Sequence, residues 1–175
     1  VAERQIVNYG DPVLREVSKL VGKIDQRIKD LVSDMTDTLK EANGLGLAAV
    51  QIGVLLRIFI VDLAAIDPTA SLKVYINPEI LKTSGDEVEM EEGCLSFPGI
   101  YQKIFRPERV RIRAMGLDGK VFEESLDGLI ARAVLHEYDH LEGKLFIDYL
   151  SPIARTLLRG KLKRLASGDA ATLLA

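Results

Sequence analysis

This chain has too little cysteine to staple itself: 175 residues hold one, Cys94. That excludes the disulfide-rich secreted class and makes a reducing compartment the simplest home. Tryptophan is absent and histidine is scarce, with only two residues, so each histidine weighs heavily. An excess of one charge is missing too. Twenty-three basic against 26 acidic side chains leave a net charge of −3, which excludes a surface acting as a whole as a nucleic-acid footprint. Long apolar runs are lacking as well. The most apolar stretch, Leu45 to Ile66, is interrupted by Gln51, Arg57 and Asp62, short of the roughly 18 residues a membrane span needs. Val1-Ala2-Glu3-Arg4-Gln5 offers no apolar signal core. These absences predict a soluble protein with no membrane partner, cytoplasmic or in an organelle after removal of a transit peptide.

What is present suits one ordinary domain over residues 1–175. A composition of 47% hydrophobic and 28% charged residues is the globular mixture, and a chain of this size buries roughly 70% of its unfolded surface. Ile24, Ile28, Leu31, Val32, Met35, Leu39 and Ala42 follow a 3.6-residue period, with Asp25 placed as N-cap and Gly44 just past the end, which predicts an amphipathic helix. Arg57–Asp62 and Lys73–Ile76 read as short strands. Val110, Ile112 and Ala114 alternate with Arg109, Arg111 and Arg113, and Asp118-Gly119 then leads into Lys120–Glu123, which predicts an antiparallel hairpin with a basic face. A second helix is expected from about Leu126 to Glu142, closed by Gly143. A third follows Ser151 and Pro152, with Ile153, Leu157, Leu158, Leu162 and Leu165 as its apolar residues. Only the last ten residues, small and uncharged except for Asp169, read as a fraying tail. Helices bracketing a block of strands predict an α+β fold: antiparallel β-sheets packed around the second helix, with an N-terminal and a C-terminal helix.

The second helix carries the chemistry. His136-Glu137-Tyr138-Asp139-His140 is an H-E-x-x-H pattern, and imidazoles four residues apart lie one above the other on a helical face, where one divalent ion can bridge them. Two histidines placed at random would fall four apart in roughly one chain in ninety, so coincidence explains the pattern poorly. Leu129 and Ala133 share that face. A third ligand decides the class. The extension H-E-x-x-H-x-x-G-x-x-H is followed as far as Gly143, but Phe146 stands where the last histidine belongs, which excludes that protease subclass. Downstream carboxylates, Glu142, Asp148 and Asp169, have no evident second helix to present them. Cys94, in the turn-like context Glu91-Glu92-Gly93-Cys94-Leu95-Ser96, remains. One thiolate and two imidazoles leave a position open for water, as catalytic sites require. A peptide-cleaving metallopeptidase and a metal-stabilised binding module stay open as alternatives at this point.

Gly44-Leu45-Gly46-Leu47-Ala48-Ala49-Val50-Gln51, Glu92-Gly93-Cys94-Leu95-Ser96 and His136-Glu137-Tyr138-Asp139-His140-Leu141-Glu142-Gly143 resemble, in order, the three signature motifs of the peptide deformylase family. Tyr9-Gly10-Asp11-Pro12-Val13-Leu14-Arg15 resembles that family's N-terminal segment, so the likeness spans the chain. One departure is visible: Leu135 stands before the first histidine, where the family commonly has Gln, a position that is not a metal ligand.

The resemblance implies hydrolysis of the formyl group from the N-terminal formyl-methionine of nascent polypeptides, releasing formate. It implies Cys94, His136 and His140 as ligands to Fe²⁺ or Zn²⁺, with Ni²⁺ or Co²⁺ as substitutes, and Glu137 as the group that takes the proton of water and returns it to the leaving amine. It assigns the Gln51 side-chain amide and the Leu95 backbone N–H to the oxyanion. Gly44 and Gly46, lacking side chains, would let a peptide pair with a strand edge. Leu45, Leu129 and Ala133 are candidates for the methionine pocket. Asp139 is expected either to orient a ligand or to pair with a basic residue such as Arg106. Arg155, Arg159, Lys161, Lys163 and Arg164 form a basic stripe on the last helix, which in bacterial members of the family is associated with the ribosome and suits contact with RNA phosphates.

Overall fold

The computed structural model describes residues 2–168; residues 169–175 of the expected fraying tail lie outside the described residues. Helices α1 (Gln26–Ala42), α2 (Gly128–Leu141) and α3 (Pro152–Ala166) accompany strands β1 (Gly46–Ala48), β2 (Ile58–Val61), β3 (Lys73–Gly93), β4 (Tyr101–Met115) and β5 (Val121–Asp127). The strands pair antiparallel in chain order, β1-β2-β3-β4-β5, in one sheet. This is the α+β arrangement expected. Among the described residues no helix is long and apolar enough to cross a membrane.

Successive residues of β2 point to opposite faces of the sheet. Ile58 and Ile60 meet the stripe of α1 formed by Ile28, Leu31, Val32, Met35 and Leu39. Phe59 and Val61 meet Ala131, Val134 and Leu141 of α2. Because helices cover both faces, all four β2 residues are buried and the strand reads as an unbroken apolar run. Asp25 caps α1 as expected, accepting from the Ile28 N–H at 3.2 Å. Its C-terminal left-handed residue is Asn43 (φ 56°) rather than Gly44. Gly44 is needed for space instead, since a Cβ there would lie 2.8 Å from Leu95 and 2.9 Å from Leu39.

The run Lys73–Ile76 is only the start of β3, which continues for 21 residues to Gly93. Pro78 and Gly85 conceal it in the sequence. The register with β4 slips between Ile76 and Glu79 and between Ser84 and Glu87, and Gly85 adopts φ +79°, the marks of bulges that bend a long strand. The consequence is positional, because β3 ends directly before Cys94. Gly93 pairs with Tyr101, whose ring would lie 2.6 Å from a Cβ at that position.

The hairpin forms with its turn at 116–119 and Gly119 at φ +78°. Its basic face is largely paired: Arg109 with Glu108 (3.0 Å), Arg111 with Glu123 (3.0 Å) and Arg113 with Glu79 (3.4 Å). Helix α2 begins two residues later than the periodicity suggests, because Leu126 and Asp127 stay in the ladder opposite Val110 and Arg109. Gly143 takes the left-handed conformation (φ +71°), and a Cβ there would sit 2.5 Å from the Arg15 carbonyl oxygen. Ser151 caps α3, accepting from the Ala154 N–H. Leu158, Leu162 and Leu165 bury against Leu14, Phe97, Ile100 and Phe146. Ile153 and Leu157, expected on that apolar side, are 75% and 80% exposed. At 100° per residue they point well away from the Leu158, Leu162 and Leu165 stripe.

Candidate metal centre

Three segments converge on a cavity of about 380 Å³, within the range of small-molecule sites. The stretch from the α1–β1 connection through the turn after β1 supplies Gly44, Leu45, Gly46 and Gln51, the turn that follows β3 supplies Cys94 and Leu95, and α2 supplies Leu129, Ala133, His136 and Glu137. All ten candidates named from the sequence on this wall are therefore brought together. The eleventh, His140, is buried one helical turn beyond His136.

One donor atom from each of Cys94, His136 and His140 lies within 4.8 Å of the others. The His140 Nε2 is 3.4 Å from the Cys94 Sγ, and the two imidazole rings are 5.3 Å apart at 71°. His136 Nδ1 donates to Glu92 Oε1 at 2.8 Å, which orients the ring and leaves Nε2 as its ligand atom; burial lowers the pKa of His136, but hydrogen bonds to Cys94 and Glu92 outweigh it and hold it well above its ordinary value, so a metal would displace a proton there. Burial pushes the pKa of His140 well below its ordinary value, so that ring is neutral. His140 Nδ1 and Glu137 Oε1 are buried without a hydrogen-bond partner. A soft sulfur and two imidazole nitrogens at this spacing form a donor set suited to zinc, iron or a related ion. The residues present fit a metal.

Glu137 lies between the two histidines in sequence and is buried; that burial, above all, pushes its pKa up to about 7. Its carboxylate occupies the space that Gly46 leaves. A Cβ on Gly46 would be 2.7 Å from Glu137 Oε2 and 3.0 Å from Cδ. Gln51 is held at both ends: its Oε1 accepts from the Ala48 N–H (2.9 Å), and its Nε2 donates to Ser96 Oγ (3.1 Å) while facing Cys94 Sγ at 3.5 Å. The amide's donor end is thereby aimed at the sulfur.

Behind the site lies a buried ionic network of which the sequence predicted only the Asp139–Arg106 pair. Glu92 Oε2 accepts from Arg106 Nε and from Arg132 Nη1, both at 2.6 Å, and Glu92 Oε1 accepts from Arg106 Nη2 at 3.0 Å. Burial raises the pKa of Glu92, but hydrogen bonds from His136 and Arg106 outweigh it and leave the carboxylate at about 2. Arg132 also donates to the Ile104 and Val88 carbonyls, and the residue lines the cavity wall. Asp139 pairs with Arg106 at 2.9 Å, the second of its two expected roles. Leu135 packs in the apolar core between α2 and the sheet. One signal could have exposed Arg132: it sits four residues before His136, on the stripe that carries Leu129 and Ala133.

An α+β fold whose H-E-x-x-H helix brings two imidazoles to a cysteine sulfur beside a cavity defines a metal-dependent hydrolase. The model of the polypeptide deformylase family matches residues 3–156. A peptide deformylase of Cytophaga hutchinsonii is 44% identical over 167 residues, covering 94% of this chain and 91% of that protein. The crystal structure of a peptide deformylase from Legionella pneumophila has a TM-score of 0.87 at 42% identity, covering 96% of this chain and 98% of that one. Peptide deformylase 1B of Arabidopsis thaliana has a TM-score of 0.87 at 40% identity, over 92% and 89%. The chain belongs to the peptide deformylase family and removes N-formyl groups by metal-dependent hydrolysis. Its relatives span bacteria, plants and Plasmodium falciparum.

Proposed function

We propose that the substrate is the formyl-methionine at the N-terminus of nascent polypeptides, that Cys94, His136 and His140 hold one divalent ion, and that Glu137 carries the proton. The convergence of three donor atoms within 4.8 Å, beside a buried carboxylate, carries this reading. An Fe²⁺ or Zn²⁺ ion, with Ni²⁺ or Co²⁺ as substitutes, would supply Lewis acidity that brings the pKa of water toward neutrality. Glu137 accepts the proton that water gives up on attacking the formyl carbon, then delivers it to the leaving amine. The Gln51 amide and the Leu95 backbone N–H donate to the oxygen on which negative charge develops, each such donor contributing about 3 to 4 kcal/mol. The contact of Gln51 with Ser96 holds its amide in that direction before substrate arrives.

Leu45, Leu129 and Ala133 receive the methionine side chain, and the missing side chain of Gly46 admits the peptide backbone. The terminal position of β1 in the sheet supports edge pairing with that backbone. The family's spread supports a home in the bacterial cytoplasm or in an organelle. The test is anaerobic purification followed by metal analysis and a formate assay. One equivalent of divalent ion, formate from formyl-Met peptides, and unformylated peptides left intact are the expected results. Cleavage of internal peptide bonds would overturn the substrate assignment.

A ribosomal docking role for α3 is supported by its five basic residues, all of them exposed. Because Leu158, Leu162 and Leu165 seal a core cluster, charge reversal is a cleaner test than truncation. Arg159→Glu with Lys161→Glu and Lys163→Glu should abolish salt-sensitive ribosome binding in sedimentation and preserve turnover of short formyl peptides. Unchanged binding would end the idea.

A further inference from the structure

Tyr149 lies off the cavity, at the end of the 3₁₀ turn Phe146–Tyr149 that joins α2 to α3, and is 45% exposed. Its hydroxyl nevertheless donates to Asp139 Oδ2 at 2.8 Å, and the Arg106 guanidinium sits 4.9 Å from the centre of its ring. Arg106 donates to the same Asp139 oxygen at 2.9 Å and to Glu92 at 2.6 Å, and His136 donates to Glu92 at 2.8 Å. From a surface hydroxyl to a ligand imidazole the chain of side chains is unbroken.

We propose that Tyr149 is a positioning residue for the metal centre: it fixes Arg106 from two directions, Arg106 fixes Glu92, and Glu92 fixes the ring of His136. This deepens the reading of Cys94, His136 and His140 as ligands and rests on it. Arg132 tethers Glu92 through Oε2, the oxygen that His136 does not use. On Oε1, which does take the imidazole proton, the other donor is Arg106 Nη2. The tilt of the Arg106 plane therefore sets where Oε1 sits. A planar guanidinium is constrained in its plane by the two Glu92 oxygens and across it by the face of an aromatic ring. Tyr149 supplies that ring, and its hydroxyl holds the Asp139 carboxylate that takes the remaining edge. Loosening the outermost link lets the imidazole tilt without removing any ligand.

Loading with Co²⁺ tests this. Wild type, Tyr149→Phe, Tyr149→Ala and Asp148→Asn are compared for Co²⁺ release to excess chelator, visible absorption, and kcat and KM on a formyl-Met peptide. Tyr149→Ala should release Co²⁺ about tenfold faster, shift the absorption and lower kcat at unchanged KM, the usual scale for removing a partner behind a ligand. Tyr149→Phe, which keeps the ring but not the hydroxyl, should fall between. Asp148→Asn weakens the bridge from the same turn to Arg15 and should leave release and absorption at wild-type values. Wild-type release from both Tyr149 variants overturns the inference, as does an equal change in Asp148→Asn, which would mean mere loosening of the turn. Should Tyr149→Ala fail to fold, Tyr149→Phe decides by the same criterion. A wild type that takes up no Co²⁺ overturns the ligand reading and this inference together, whereas uptake with unaltered Tyr149 variants overturns the inference alone.

Discussion

Glu137→Gln should cut formate release by roughly 10²- to 10⁴-fold while metal content stays at the wild-type level. The carboxamide has nearly the shape of the carboxylate, so it fills the same space against Gly46, where the fit leaves no room for a β-carbon. It offers no base, however. Cys94, His136 and His140 keep their donor atoms, and the Gln51 amide keeps its anchors on Ala48 and Ser96. The loss should fall on kcat, with KM for formyl-Met peptides little changed, because the proton is in flight only in the transition state. Stopped assays of formate with parallel metal analysis would check it. Turnover retained within about threefold would remove Glu137 from the reaction and leave another buried group to carry the proton.

The chemistry was legible because it sits in short motifs on regular elements. A helix repeats every 3.6 residues, so His136 and His140 announce a shared face before any fold is known. Cys94 emerged because a chain with one cysteine and two histidines leaves few other soft donors. Other features were hidden by the same local rules. The long strand β3 carries Pro78, Gly85 and runs of glutamate, which read as breakers, yet bulges absorb them and the strand goes on to deliver Cys94. Arg132 lies on the metal-facing stripe but is charged, and a charged residue on a helix is ordinarily solvated. Only tertiary pairing with Glu92, forty residues earlier, takes it inside. Ile153 and Leu157 mislead in the opposite sense, since apolar character alone does not bury a residue whose angle on the helix points to solvent. Tyr149 gave no signal, because its role depends on Arg106 and Asp139 arriving from two other elements.

Glu92→Ala should cost about 3 to 5 kcal/mol of stability and weaken metal retention by roughly 10- to 100-fold. The two effects have different origins. Stability falls because the Arg106 and Arg132 guanidiniums, both buried, lose the carboxylate that accepts three of their hydrogen bonds; a charge left uncompensated in the interior is far more costly than the intact network is beneficial. Metal retention falls because His136 Nδ1 loses the acceptor that fixes its tautomer and ring angle. A combined variant separates them. Glu92→Met with Arg106→Met, Arg132→Met and Asp139→Asn, the last because Asp139 would otherwise lose its Arg106 partner, removes all four charges together, so thermal or denaturant unfolding should recover most of the lost stability. Chelator-driven metal loss should not recover, since the imidazole still has nothing to hold it. Recovery of both would mean that the network serves packing alone, and that the histidine is oriented by its helix without help from the glutamate.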